Sequence, residues 1–147
     1  MRIEAAGKTW IVEEQVLARA SWADADRFSG VTFRNADTSA DELQVRWVLR
    51  PDRLTPSLAR ELFEIAGVRT WRDPRDGRTY ELQLESNTFA PSDGGPVALE
   101  TVRFDSQGFS GEAPWTLSMP LGWATDQELM RLLDRASETG TGPLRGD

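Results

Sequence analysis

Reactive side chains are scarce in this chain. It contains no histidine and no cysteine, one lysine (Lys8) and one tyrosine (Tyr80). Thiol nucleophiles, disulfides, Cys/His zinc sites and every Ser-His-Asp arrangement are therefore excluded. Serine activation by lysine would depend on Lys8 alone. Acid–base chemistry would fall to the 24 Asp and Glu residues. A carboxylate pair of the glycosidase kind needs two acids a few ångströms apart in a cleft, and so many acids allow many pairs. Glu81 and Glu85 alternate with apolar residues and read as the wet face of a strand. Asp24, Asp26, Asp37, Asp41 and Glu42 could in principle line a divalent-cation site. They lack the ligand spacing and glycine of a calcium loop and read as polar loops. No metal or cofactor is expected. No phosphate-binding glycine fingerprint occurs, and Gly94-Gly95 runs into Pro96 rather than into a helix.

Binding chemistry offers more. Arg69, Arg72, Asp73, Arg75, Asp76 and Arg78 form the one basic-rich patch, able either to dock an anion or to pair internally. Six tryptophans are many for 147 residues. Trp10, Trp47 and Trp115 fall on predicted inward faces. Trp22 and Trp123 do not, and with Phe28, Phe89 and Phe109 they read as loop or edge aromatics, the residue class that anchors protein interfaces. The candidate partner-binding residues are Trp22, Phe28, Arg72, Arg75, Phe109 and Trp123. The terminal Arg145-Gly146-Asp147 reads as coincidence, since no secretory signal accompanies it.

The elements that must position these residues come in two sets. Gly7-Lys8-Thr9-Trp10 lies over Gly77-Arg78-Thr79-Tyr80, and Val31-Thr32-Phe33 over Val102-Arg103-Phe104. Trp47-Val48-Leu49 lies over Trp115-Thr116-Leu117, and Thr55, Leu62, Glu64 and Ala66 over Thr125, Leu132, Asp134 and Ala136. Four blocks in the same order, at offsets of about 70 residues, predict an internal duplication. The first set predicts strands over 9–17, 30–35 and 43–49, then a helix. Thr55 is its N-cap, Pro56 its first residue, Leu58, Leu62 and Ile65 its apolar face, and Gly67 a left-handed C-cap. The second set predicts a hairpin turning at Asp73–Gly77, strands at 80–85, 97–104 and 115–119, and a loop over 86–96. A helix follows, opened by the capping box Thr125-Asp126-Gln127-Glu128 and carrying the stripe Leu129, Leu132, Leu133 and Ala136.

The expected fold class is thus α+β. Two similar β-rich units, each of three to four antiparallel strands then one helix, would pack as one pseudo-twofold body. Their bounds are residues 1–67 and 68–136, followed by a flexible Gly/Thr-rich tail over 137–147. A unit of this size alone has a thin core, which favours packing the two together.

Charge and hydropathy narrow the class of function. The net charge is −7, which argues against nucleic-acid partners. Uninterrupted apolar runs such as Trp10-Ile11-Val12 are too short for membrane insertion, and no signal peptide is expected. Arginine supplies 16 of the 17 basic residues, as codon usage in a GC-rich bacterial genome would produce. The reading is a bacterial, acidic, cytoplasmic protein, or one peripheral on a membrane complex. Its expected role is that of a non-catalytic protein-interaction module, an accessory or stabilising subunit whose partner is another protein or complex. The alternatives are a small-ligand-binding protein with its site between the repeats, and a carboxylate-dependent hydrolase.

Overall fold

The computed structural model describes residues 1–16, 28–38, 40–49, 53–89 and 97–139. They form a mixed α+β fold of antiparallel strands with two α-helices. The chain divides into two units. The first comprises Met1–Thr70 with Pro120–Trp123, and the second Trp71–Met119 with Ala124–Asp147. The division therefore does not follow a single cut at residue 67. A four-residue piece from late in the chain belongs to the first unit.

In the first unit, β1 (Arg2–Ala5), β2 (Lys8–Val16), β3 (Phe28–Asn35) and β4 (Glu42–Leu49) are antiparallel neighbours in chain order. The start of β5 (Val68–Arg72) pairs with β4, Leu43 lying opposite Arg69. Alternation puts Trp10 and Val12 of β2, Val31 and Phe33 of β3, and Leu43 and Val45 of β4 into the core. Helix α1 (Pro56–Ile65) packs against β1 and β4. Its buried stripe is Ala59, Leu62, Phe63 and Ala66, the i, i+3, i+4, i+7 pattern. Phe63 replaces Ile65 in the predicted face, and Ile65 points outward at 66% exposure. The Phe63 ring lies 5.1 Å from Trp10 and edge-on to Phe33 at 5.4 Å. Thr55 caps the helix as expected, its Oγ1 accepting from Leu58 N–H at 3.2 Å. The C-terminus differs from the predicted left-handed glycine. Ala66 is extended, at φ −60° and ψ 122°, so the chain leaves the helix directly toward β5.

In the second unit the end of β5 enters the predicted hairpin. Asp73 N–H donates to Arg78 O and Gly77 N–H to Asp73 O, with Gly77 at φ 74°. Strands β6 (Thr79–Phe89), β7 (Val97–Ser106) and β8 (Phe109–Pro114) follow as an antiparallel meander. Helix α2 (Asp126–Thr139) packs its predicted stripe on β7 and β8. Gly111 permits close approach, since a Cβ there would stand 2.6 Å from the Ala136 carbonyl oxygen. The capping box forms: Thr125 N–H donates to Glu128 Oε1, and Glu128 N–H to Thr125 Oγ1.

Three boundaries depart from the sequence reading. Residues 86–89 extend β6 instead of opening a loop, because their backbone pairs with 97–100 of β7. The last strand of the second unit is Phe109–Pro114, not 115–119, and Trp115 stands beyond it, half-buried, its N–H donating to Glu100 O. Helix α2 continues through Thr139, past the expected start of the tail at 137. Among the described residues, no helix is long and apolar enough to cross a membrane.

Candidate functional site

The site in the first unit begins with a buried arginine. β5 directs Arg69 inward, and its side chain is fully buried. Its Nε and Nη2 donate to the two carboxylate oxygens of Asp41 at 2.9 and 3.1 Å. Its Nη1 donates to the Leu121 carbonyl at 2.9 Å. That third bond seats the 3-10 turn Leu121–Trp123. Leu121 is buried, and Gly122 lies so close to Leu43 and Phe63 that a Cβ would come within 2.7 Å of each. With two residues of the turn locked inside, the third is directed out. Trp123 is 42% exposed, and its indole N–H donates to Glu64 Oε1 at the end of α1, 3.0 Å away.

Beside Trp123 runs a groove of about 390 Å³, lined by the stretch Glu4 to Thr9. The β1–β2 turn forms its floor. Ala6 and Gly7 have φ of 55° and 73°, the pair of left-handed residues that matches the twist of a two-residue hairpin. Lys8 stands at its edge, with Nζ 3.3 Å from Asp41 and 5.9 Å from the Trp10 ring centroid. Exposed Trp123 and Ile65, with the charges of Lys8 and Glu4, thus share one end of the unit. The arrangement offers an exposed aromatic beside a groove with charged residues in its lining.

The other candidates are distributed as follows. Phe28 begins β3, opposite Leu49, and is half-buried. It lies past the Val16 end of β2, whereas the Trp123 groove is at the Lys8 end. Eight residues of strand separate the two ends, roughly 26 Å, so they do not form one site. Trp22 lies outside the described residues. In the second unit, Arg72, Arg75 and Phe109 lie at one end of the meander. Arg72 is exposed. Arg75 is held between Asp73 Oδ2, at 2.9 Å, and Asp134 Oδ1, at 3.0 Å. Phe109 is half-buried and stacks edge-on against Tyr80, centroids 6.1 Å apart. Arg78 Nη2 reaches the Gln107 carbonyl at 3.4 Å, joining the two turns of that end. Internal pairing thus occupies Arg75.

Electrostatics reinforce that reading. Burial alone would raise the Asp73 carboxyl pKa, but hydrogen bonds from the Arg75 side chain and N–H outweigh it and hold the value below the ordinary range. The partner effect raises Arg75, chiefly through its bond to Asp73. On the wet face of the second unit, Arg103 is raised mainly by its bond to Asp105, and it also pairs with Glu85 at 2.7 Å.

The acids weighed as metal ligands are otherwise engaged or separate. Asp41 serves Arg69 and Lys8, and among the described residues no three acids gather around a common point. Asp24 and Asp26 lie outside the described residues. The sequence reading missed the Arg69–Asp41 pair because it placed Arg69 in the basic-rich patch around Arg72 and Arg75 and read Asp41 as part of a polar loop. The signal available was Val68 and Trp71 flanking Arg69 in a strand-like run. A second, smaller groove of about 230 Å³ lies against α2, lined by Thr116, Leu117, Glu128, Arg131, Leu132 and Arg135. Compared with protein-family models, curated proteins and solved structures, the chain finds no match in any of the three.

Proposed function

We propose that the protein is a non-catalytic interaction module, a small accessory or stabilising subunit of a larger bacterial complex, which it joins from the cytoplasm or at the face of a membrane assembly. The observation that carries this reading is Trp123, a large aromatic left 42% exposed on a turn that is otherwise buried and hydrogen-bonded. An aromatic ordered before binding loses little freedom on association, which is the property of an interface anchor. Ile65, the residue after the Glu64 that holds the indole, is also left 66% exposed. On this reading the two halves descend from one duplicated unit. In support, each unit holds an antiparallel meander followed by a helix, with glycine-containing turns at Gly7 and Gly77 and threonine caps at Thr55 and Thr125. The Trp47 and Trp115 blocks lend no support, since one lies in β4 and the other follows β8.

The test is affinity capture from extract of the native host with the tagged full-length chain and its Trp123→Ala variant. A defined partner retained by the wild type and lost by the variant, at unchanged melting temperature, is expected. A chain that runs alone at 16 kDa, or a partner held equally by the variant, overturns the proposal.

A second reading is favoured by the size of the Trp123 groove, which falls within the range of small-ligand sites. A compound that raises the melting temperature of the wild type but not of Trp123→Ala would select it over the first.

A further inference from the structure

We propose that β1 is an interface between two copies of this chain, which join edge to edge as antiparallel strands. The inference goes beyond the Trp123 reading and does not depend on it. β1 ends the strand order and pairs only with β2 among the described residues. Its hydrogen-bond phase follows from Val12 N–H, which donates to Met1 O at 2.8 Å. Met1 and Val12 are therefore a bonded pair, and so are Ile3 with Trp10 and Ala5 with Lys8, every second residue along the ladder. The N–H and C=O of Arg2 and Glu4 consequently point away from β2. Among the described residues they meet no backbone partner, and both residues are exposed. Such a row is a template for another strand. The last strand, β8, differs. Trp115 N–H donates to Glu100 O, which fixes the β7–β8 phase and turns the Pro114 backbone outward, where proline has no N–H to give.

Charge complementarity selects a second copy as the occupant. Charges on a short edge strand normally block pairing, because most registers set like charges against each other. The segment Met1-Arg2-Ile3-Glu4-Ala5 escapes this in one register, and that register is two-fold symmetric. With Ile3 opposite Ile3 of the second copy, Arg2 lies opposite Glu4 of the second copy, and Glu4 opposite Arg2. These are the residues whose backbone groups point outward, so the register closes four backbone hydrogen bonds and two cross-strand charge pairs together. Met1, 45% exposed, falls opposite Ala5 of the second copy. The neighbouring registers of the same phase set Arg2 against Arg2 or Glu4 against Glu4. A shift by one residue sets outward backbone groups against inward ones and loses the ladder. The symmetric contact uses the same patch on both copies, so it closes at a dimer.

The experiment is sedimentation equilibrium of the full-length chain over about 1 μM to 1 mM, the span of weak to moderate association. The proposal expects a mass that rises toward twice 16.4 kDa with concentration. Arg2→Glu sets Glu against Glu, and Glu4→Arg sets Arg against Arg. Each should weaken the dimer about tenfold or more. Both side chains are exposed, so each variant should stay folded by circular dichroism. An equimolar mixture of the two single variants restores opposite charges at both cross-strand positions and should recover the dimer, as should the chain carrying both substitutions. In the wild type, exchange of the Arg2 and Glu4 amides should slow as concentration rises. A wild type that stays monomeric throughout, single variants that dimerise as well as the wild type, or a mixture that stays monomeric would each overturn the proposal. So would protection of both amides where the chain is monomeric, which would put another segment of the same chain on the edge. A monomeric chain that still captures a host partner through Trp123 would overturn this proposal and leave the first reading standing.

Discussion

Arg69 and Asp41 meet in a two-point ion pair inside the first unit, with Nε and Nη2 bonded to Oδ1 and Oδ2 at 2.9 and 3.1 Å. The third arginine bond, to the Leu121 carbonyl, ties a turn from late in the chain to a strand from its middle. Removing one charge would leave the other buried and uncompensated. Arg69→Met is therefore expected to lower stability by about 3–5 kcal/mol, and Asp41→Asn by a similar amount. Replacing both with apolar residues of like volume should recover a large part of the loss. Urea melts of the three variants check this, and strictly additive losses in the double variant would contradict the pairing.

The turn that Arg69 holds has no room to spare. A Cβ at Gly122 would stand 2.7 Å from Leu43 Cδ1 and Phe63 Cζ, both of which are fully buried side chains. Gly122→Ala should thus cost about 1–3 kcal/mol through overpacking. It should also disturb Trp123, visible as a change in tryptophan emission in the folded state. Gly111→Ala is expected to be the more damaging of the two, because its obstacle is the Ala136 backbone oxygen at 2.6 Å rather than a side chain. Equal melting midpoints for wild type and both variants would refute the close approach.

Much of this architecture is legible in the residues. Thr55-Pro56 and Thr125 to Glu128 start the two helices where their capping chemistry says. Leu129, Leu132, Leu133 and Ala136 form the buried stripe their spacing implies. Long-range effects were out of reach. Phe63 faces the core instead of Ile65 because Trp10 and Phe33, distant in sequence, supply aromatic partners. Strand β6 extends through 86–89 because β7 offers a backbone ladder that overrides the turn-forming composition. Arg69 reads as a surface charge until Asp41, 28 residues earlier, is brought against it. The candidate site was legible only as a residue type. The sequence marks Trp123 as an unplaced aromatic, but its exposure follows from the burial of Leu121 and Gly122 beside it.

The β1–β2 turn carries measurable strain. Ala6 has φ of 55°, and it is the one non-glycine with positive φ among the described residues. A left-handed conformation costs an L-residue with a Cβ about 1–2 kcal/mol, and asparagine tolerates it better than alanine. Ala6→Asn should therefore stabilise the protein by about 0.5–1 kcal/mol, creating the Asn-Gly pair favoured in such turns. Gly7→Ala, at φ of 73°, should destabilise by a comparable amount. A lower melting temperature for Ala6→Asn would show that the turn does not hold this conformation in solution.

Asp73 links stability to pH. It is 2% exposed, accepts from Arg75 N–H at 2.9 Å, and receives the Arg75 guanidinium on both oxygens. Burial pushes its pKa up, the Arg75 bonds push it down further, and the net shift is downward. The folded state thus binds the Asp73 proton less readily than the unfolded chain, whose aspartates titrate near about 3.9. A depressed folded value means the contribution is complete above that pH and fades as pH falls toward the folded value. Arg75 remains charged throughout this range. Asp73→Asn should lower stability at neutral pH by about 1–3 kcal/mol, through the weakened Arg75 bonds. It should also flatten the decline of the melting temperature below about pH 4. Parallel acid limbs for wild type and variant would place the pH dependence on other carboxylates.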